Sequence, residues 1–319
     1  MTVLITGSAG WLGRHLVPFL RGQGYEVVGL DVAPSEYTTV ISSVANREAV
    51  NAVFEDHRIT EVIHAGALHK PDIARQTTQA FIDVNVTGTF NLLEAAVRHE
   101  VESFVFTSTT SLMISQAIRE DKGEQAVWLD ESVGPLEPRN IYGVTKLAAE
   151  NLCRMIHLRD GLPCIVLRTS RFFPETDDTR YEIEGANLKA VELLYRRAAV
   201  EDMVAAHHVA LMRAPTLGFE TFIISAPTVF KREDASDLKA DAASVISRYY
   251  PDAPSLFAKK GWKLPRTIGR VYDASKAERL LDFRAAVDFA SVLEAIRNEA
   301  TLPVLDDFSY TAPHKEIRF

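Results

Sequence analysis

Tyr142 and Lys146 stand four residues apart in IYGVTK, a spacing that puts both side chains on one face of a helix. Such a pair can handle a proton. A phenol near its ordinary pKa of about 10 is a poor base at neutral pH, and a neighbouring ammonium stabilises the phenolate and lowers that value. Upstream, the apolar run FVFTSTTS reads as a strand whose end delivers the hydroxyls of Ser108 and Thr109. A phenol, an ammonium and a hydroxyl could together take a proton from a substrate hydroxyl and return it.

The amino-terminal stretch MTVLITGSAGWLGR supplies a second kind of chemistry. Val3, Leu4 and Ile5 read as a strand buried on both faces, followed by Gly7, Gly10 and Gly13 at spacings of three. Gly7 permits a tight turn, Gly10 lets the backbone approach a pyrophosphate, and Gly13 lets the new helix pack on the sheet. The amides around Trp11 and Leu12 then face an anion. A second strand, Glu26 to Leu30, ends in Asp31, an acid about twenty residues beyond the turn, where a carboxylate accepts both hydroxyls of an adenosine ribose. It repels a 2′-phosphate, so the expected cofactor is NAD rather than NADP; Arg14 would soften that preference.

Strands at 26–30, 61–64 and 102–107, alternating with helices at 11–23, 46–56 and 81–98, predict an α/β chain with a Rossmann-type doubly wound parallel sheet. Residues 1–173 are expected to form the NAD-binding domain. Residues 174–319 are expected to form mainly a smaller, largely helical substrate lobe, with some segments returning to the sheet. In that second half helices are predicted at about 186–195, 201–213, 235–249, 273–281 and 286–299, and a strand at 220–225.

The 319 residues, 47% hydrophobic and 24% charged, suffice for a large core. A net charge of −8 without a basic run argues against nucleic acid and anionic membranes as partners. The first strand begins too early for a leader peptide and no apolar stretch is long enough to span a bilayer, so a cytoplasmic location is expected. Cys153 and Cys164 have neither metal-like spacing nor a secretory context, and read as packed free thiols with no metal site implied.

The GxxGxxG spacing, the segment HAGA at 64–67, the helix NVTGTFNLLEAA and the Tyr-x-x-x-Lys pair are similar to the extended short-chain dehydrogenase/reductases, the NAD-dependent epimerase/dehydratase family. The resemblance implies that Thr109, Tyr142 and Lys146 are catalytic, with Lys146 also holding the nicotinamide ribose. It implies small residues Ala65, Gly66 and Ala67 under the cofactor, and Asn85 as a helix-bending polar residue near the site. Where the family reads Asp-hydrophobic-x-Asp, this chain has Ser43 and Asn46, so the adenine contact passes to the Ser43 hydroxyl or to backbone groups there, Val44 included. His64 reads as a packing and hydrogen-bonding residue. His69 and Lys70, just past a strand end where ligands of open α/β sheets bind, are substrate candidates with Ser111. The stretch 114–126 reads as an insertion, either a lid or a surface excursion. A homodimer built on helices 82–98 and 141–158 is also implied.

Thr110, Ser111 and Leu112 follow Thr109 where the family's dehydratases carry acids, which argues against a 4,6-dehydratase. A sugar or sugar-nucleotide epimerase and an NAD-dependent dehydrogenase of a free sugar or sugar acid both remain; a non-catalytic NAD-binding module is the remote third reading. After LRTS the chain places Arg171 where the family has a substrate-contacting Asn, and Tyr195 where it has a diphosphate-gripping Arg, with Arg196 and Arg197 adjacent. RFFPE resembles a stretch of uronate dehydrogenases, in which case Arg171 pairs with a substrate carboxylate; a structural ion pair is the alternative.

Overall fold

A strand that is apolar on both faces needs helices on both. The computed structural model, which describes residues 1–174, 183 and 185–303, meets that need. The strands are β1 (Thr2–Thr6), β2 (Glu26–Asp31), β3 (Val40–Ile41), β4 (Glu61–His64), β5 (Ser103–Thr109), β6 (Val127–Leu129), β7 (Cys164–Thr169), β8 (Phe219–Ile224) and β9 (Arg270–Tyr272). Seven of them form one parallel sheet in the order β3-β2-β1-β4-β5-β7-β8, while β6 and β9 pair separately.

Side chains alternate between the faces as the period of two requires. Val3, Ile5, Val105, Ile165 and Leu167 pack on one side under α1 (Gly13–Gly22). Leu4, Val28, Phe104, Phe106 and Val166 pack on the other under α2 (Arg47–Asp56). On that second face the chain continues as α3 (Thr78–Ile82), α4 (Gly88–Arg98) and, after the short α5 (Gln116–Glu120), the catalytic-helix candidate α6 (Ile141–Asp160). Cys153 and Cys164 are buried free thiols in this layer.

The single helix expected at 81–98 is interrupted. A wider, π-type turn at Asp83–Thr87 separates α3 from α4 and brings Asn85 inward. The Asn85 side chain is the reason: its Oδ1 accepts from the Leu68 N–H at 2.8 Å, and its Nδ2 donates to Leu68 O and to Thr145 Oγ1.

Beyond residue 173 lie α7 (Gly185–Glu192), α8 (Val200–Leu217), α9 (Ala235–Tyr249), α10 (Ala253–Lys259) and α11 (Phe289–Arg297). Of these, α8 joins α1 on the main sheet, and β8 extends that sheet beside β7. The others enclose a separate core around Leu188, Leu238, Phe257 and Val292. Here the stretch 114–126 finds its role. Lys239 donates to the Asp121 carbonyl, the Ala126 N–H donates to Ala235 O at 2.8 Å, and Ala126 is buried in the lobe core. It is a strap across to the second lobe rather than a lid.

Glu61, at the amino end of β4, is an unfavourable feature of this sheet. Burial first, then the nearby Glu102, pushes its carboxyl up to about 6, against the opposing pull of the amino terminus. Among the described residues its buried Oε2 finds no hydrogen-bond partner. A folded pKa above the ordinary value means that the protonated form's advantage is complete below about pH 4.5 and is lost as pH rises through 6. Glu61→Gln, which mimics the protonated acid, should therefore stabilise the fold by about 1–2 kcal/mol at pH 8, with the gain vanishing near pH 4 in denaturant melts.

Candidate active site

The winding of the sheet reverses between β1 and β4, and the carboxyl ends of those strands open a crevice. Gly7, in the left-handed region at φ +75°, is packed so closely that a Cβ there would lie 2.7 Å from the Gly66 nitrogen. The tight turn therefore abuts the small residues Ala65, Gly66 and Ala67, and all three line the crevice with Gly7, Gly10, Trp11 and Leu12. Gly13 sits behind the turn, where a Cβ would come 2.2 Å from Gly7 O.

Asp31, Ser43 and Val44 line the far end of the same cavity. The Asp31 carboxylate is fixed by two backbone donors, Ala9 N–H at 3.0 Å and Ala33 N–H at 2.9 Å. The Ser43 hydroxyl accepts from Ala45 N–H at 3.2 Å. Asn46 caps α2 through Ala49 N–H, so its role here is helix initiation.

Tyr142 and Lys146 line the opposite end. Asn140 caps α6 by accepting from Gly143 N–H, setting the helix to start just before Tyr142. Thr109 ends β5 and accepts from Ser111 N–H at 3.1 Å, and its side chain acts on the Tyr142 phenol in favour of the phenolate. Lys146 is buried, with Nζ 4.0 Å from the centroid of the Phe106 ring.

The electrostatics correct one expectation. Protein groups do not lower the Tyr142 phenol: it is pushed up to about 12, chiefly by burial and secondarily by Asp72, with only the Thr109 hydrogen bond opposing. Tyr142 as a whole is half-buried, and the shift follows the protein packed around its hydroxyl. Lys146 is pushed down to about 7 by the same desolvation. An ammonium that is itself half discharged near neutrality, and whose Nζ is held over an aromatic ring, cannot dominate its neighbour.

The remaining candidates divide. His69 lines the cavity, stacked on Phe173 with centroids 5.3 Å apart and ring planes 6° from parallel, and its Nε2 lies 3.9 Å from Asp72 Oδ2. Lys70 and Ser111 are exposed and do not line the cavity. Asn85 does not line it either; its amide is used on Leu68 and Thr145. Arg171 pairs with Glu192 at 2.9 Å, and Arg196 and Arg197 pair with the same buried carboxylate. Glu175 of RFFPE lies outside the described residues.

Sequence reasoning missed Phe172 and Phe173, which stack at 4.4 Å and wall the cavity beside Trp11. Their signal was available: two aromatics just past the carboxyl end of a sheet strand. It also missed Asp72, buried in the short turn after His69.

Among the described residues no helix is long and apolar enough to cross a membrane. The model of the NAD dependent epimerase/dehydratase family matches residues 3–218. UDP-glucose 4-epimerase of Halalkalibacterium halodurans is 31% identical over 175 residues, 53% of this chain and 50% of that protein. The chain spans about half the length of the curated relatives it matches. Among solved structures, UDP-N-acetylglucosamine 4-epimerase of Bacillus cereus aligns with TM-score 0.64 at 21% identity, covering 94% of this chain and 98% of that one. A mutated uronate dehydrogenase aligns with TM-score 0.63 at 20% identity, covering 94% and 86%. These two are likenesses of fold.

Lys146 should be a stability cost. Its folded pKa of about 7 lies below the ordinary 10.5, so between those values the unfolded chain holds a proton that the folded one has shed, and stability rises with pH through that window. Below pH 7 the fold carries the buried ammonium at full cost, at most about 5 kcal/mol. Lys146→Met is expected to raise Tm at pH 6, with the gain shrinking towards pH 10, as followed by calorimetry.

Proposed function

The chain belongs to the NAD dependent epimerase/dehydratase family, and from that premise we propose that it oxidises or epimerises a hydroxyl-bearing carbon of a sugar or sugar derivative. The observation that carries this reading is that Tyr142 and Lys146 open onto the same cavity as the Gly7–Leu12 turn and Asp31, with Thr109 at the end of β5 just behind the lining.

That cavity fits NAD. Among the described residues beyond its chain neighbours, a Cβ at Gly10 would meet within 4 Å only Gly7 O, at 3.2 Å, leaving bare backbone for a diphosphate. The Asp31 carboxylate, oriented by Ala9 and Ala33, would take the adenosine ribose, with Ser43 and Val44 beside the adenine and Lys146 at the second ribose. When bound, NAD supplies a carbon that accepts a hydride and can return it. The chain's own work is with the proton. Thr109 donates a hydrogen bond to the substrate oxygen, and Tyr142 takes that oxygen's proton and gives it back. A phenol held near 12 keeps its proton until the ternary complex forms, and positive charge at Lys146 then offsets the cost of phenolate.

A second reading, net dehydrogenation of a free sugar or sugar acid, is favoured by one observation. Tyr195 stands where the family has its diphosphate-gripping Arg, and the adjacent Arg196 and Arg197 are bound to Glu192, which suits a substrate lacking a nucleotide. Absorbance at 340 nm separates the readings: a dehydrogenase accumulates NADH, an epimerase does not. The exposed Val144, Met155 and Leu158 of α6 and Ile82 of α3 support a homodimer; light scattering at micromolar concentration should give twice the chain mass.

Tyr142→Phe should lower turnover on an identified sugar by about 10²–10⁴ while NAD affinity changes little. Thr109→Ser should be mild and Thr109→Val severe. Lys146→Ala should lower turnover and NAD affinity together. Near-parent activity in Tyr142→Phe would refute the assignment.

A further inference from the structure

Glu150 lies one helical turn beyond Lys146 on the inward face of α6, and both are almost fully buried, at 5% and 3% exposure. Its carboxylate is held from two strands. The Ser108 hydroxyl, next to Thr109 on β5, donates to Oε1 at 2.6 Å. From β7, Arg168 donates through Nε at 3.1 Å to Oε1 and 3.3 Å to Oε2, and through Nη2 at 2.8 Å to Oε2. Four hydrogen bonds, three of them from the Arg168 guanidinium, fix the buried carboxylate one helical turn from the catalytic lysine. We propose that Glu150, clamped by Ser108 and Arg168, is a positioning residue whose charge holds the proton on Lys146; this deepens the role given to Lys146 above and rests on it.

The other groups around Lys146 do not serve. His64 of β4 is driven well below its ordinary range by burial and by Lys146 itself, and is neutral. Tyr142 is a neutral phenol. Cys153 on the same helix, in contact with Cys164 of β7, and Glu150 both favour the ammonium. A thiol raised by burial, and further by Cys164 and Glu150, carries no charge near neutrality. Of the two, Glu150 is the one held in an ion pair, with Arg168. Asp72 acts on Tyr142, and Arg168 has its charge turned onto Glu150.

The inference is tested without substrate or cofactor, by following the Lys146 Cε chemical shift against pH in lysine-labelled protein, assigned by its loss in Lys146→Met. Glu150→Gln alone would strand the buried Arg168 cation, so the variant is Glu150→Gln/Arg168→Met, with Glu150→Gln/Arg168→Gln in its place where the first does not fold. The Lys146 midpoint is expected to fall by at least about one pH unit, a tenfold loss of proton affinity, in a variant that melts near the parent. Glu150→Asp, which keeps the charge, should stay within about half a unit of the parent. An unchanged midpoint in the neutral pair, or an equal fall in Glu150→Asp, overturns the inference. A midpoint that moves as expected in a protein that turns over no sugar contradicts the proposed function and leaves the assignment of Glu150 intact.

Discussion

A buried chain of hydrogen bonds ties the glycine turn to α6, the helix that carries Tyr142 and Lys146, and the geometry of the site depends on it. Gly66 N–H donates to Thr6 Oγ1 at 3.0 Å, and the Thr6 hydroxyl donates to His64 Nδ1 at 2.7 Å. Thr89 spends its hydroxyl proton on Asn85 O, so His64 Nε2 carries the ring proton and donates to Thr89 at 3.0 Å. From Asn85 the side chain reaches Leu68 and Thr145, and Thr145 donates back to Ile141 O at the start of α6. Every polar group in this path has a partner, as burial demands. The π-type turn at Asn85 is the local departure from regular helix that lets one side chain satisfy both the loop under the cofactor and the helix that carries Tyr142.

Burial also sets the chemistry. Desolvation raises the tyrosine and lowers the lysine, so each is driven towards its neutral form and neither is poised by the other alone. The polar contacts then act selectively. Thr109 favours the phenolate, and Glu150, held by Ser108 and Arg168, favours the ammonium. The site is thus an apolar pocket with a few fixed dipoles and charges.

Much of this was legible in the sequence because it is local and periodic. The strand, glycine turn and Asp31 are read from adjacent residues, and the Tyr142–Lys146 face follows from helical spacing. Of the sheet strands, β1, β2, β4, β5 and β8 were placed to within a residue or two, since each is a short apolar run. What was not legible depends on residues far apart in the chain. The ammonium's effect on Tyr142 was misjudged because spacing says nothing of desolvation. The 114–126 strap could be placed only once its partners Ala235 and Lys239 were known. Arg171 could be assigned to Glu192 only in three dimensions. The strands β3, β6 and β9 and the helix α10 are too short to show a period.

The central claim is that this cavity moves a hydride between a sugar carbon and NAD while Tyr142 handles only the hydroxyl proton. The most direct measurement follows the carbon-bound hydrogen. Sugars, sugar acids and nucleotide sugars deuterated at the reacting carbon would be incubated with the protein and NAD, and nicotinamide and product analysed by mass spectrometry and NMR. The account predicts deuterium on C4 of the nicotinamide for net oxidation, or retained on the inverted sugar carbon for epimerisation, without exchange into water in either case. Deuterium lost to solvent from the reacting carbon would mean proton abstraction from carbon, and would contradict it.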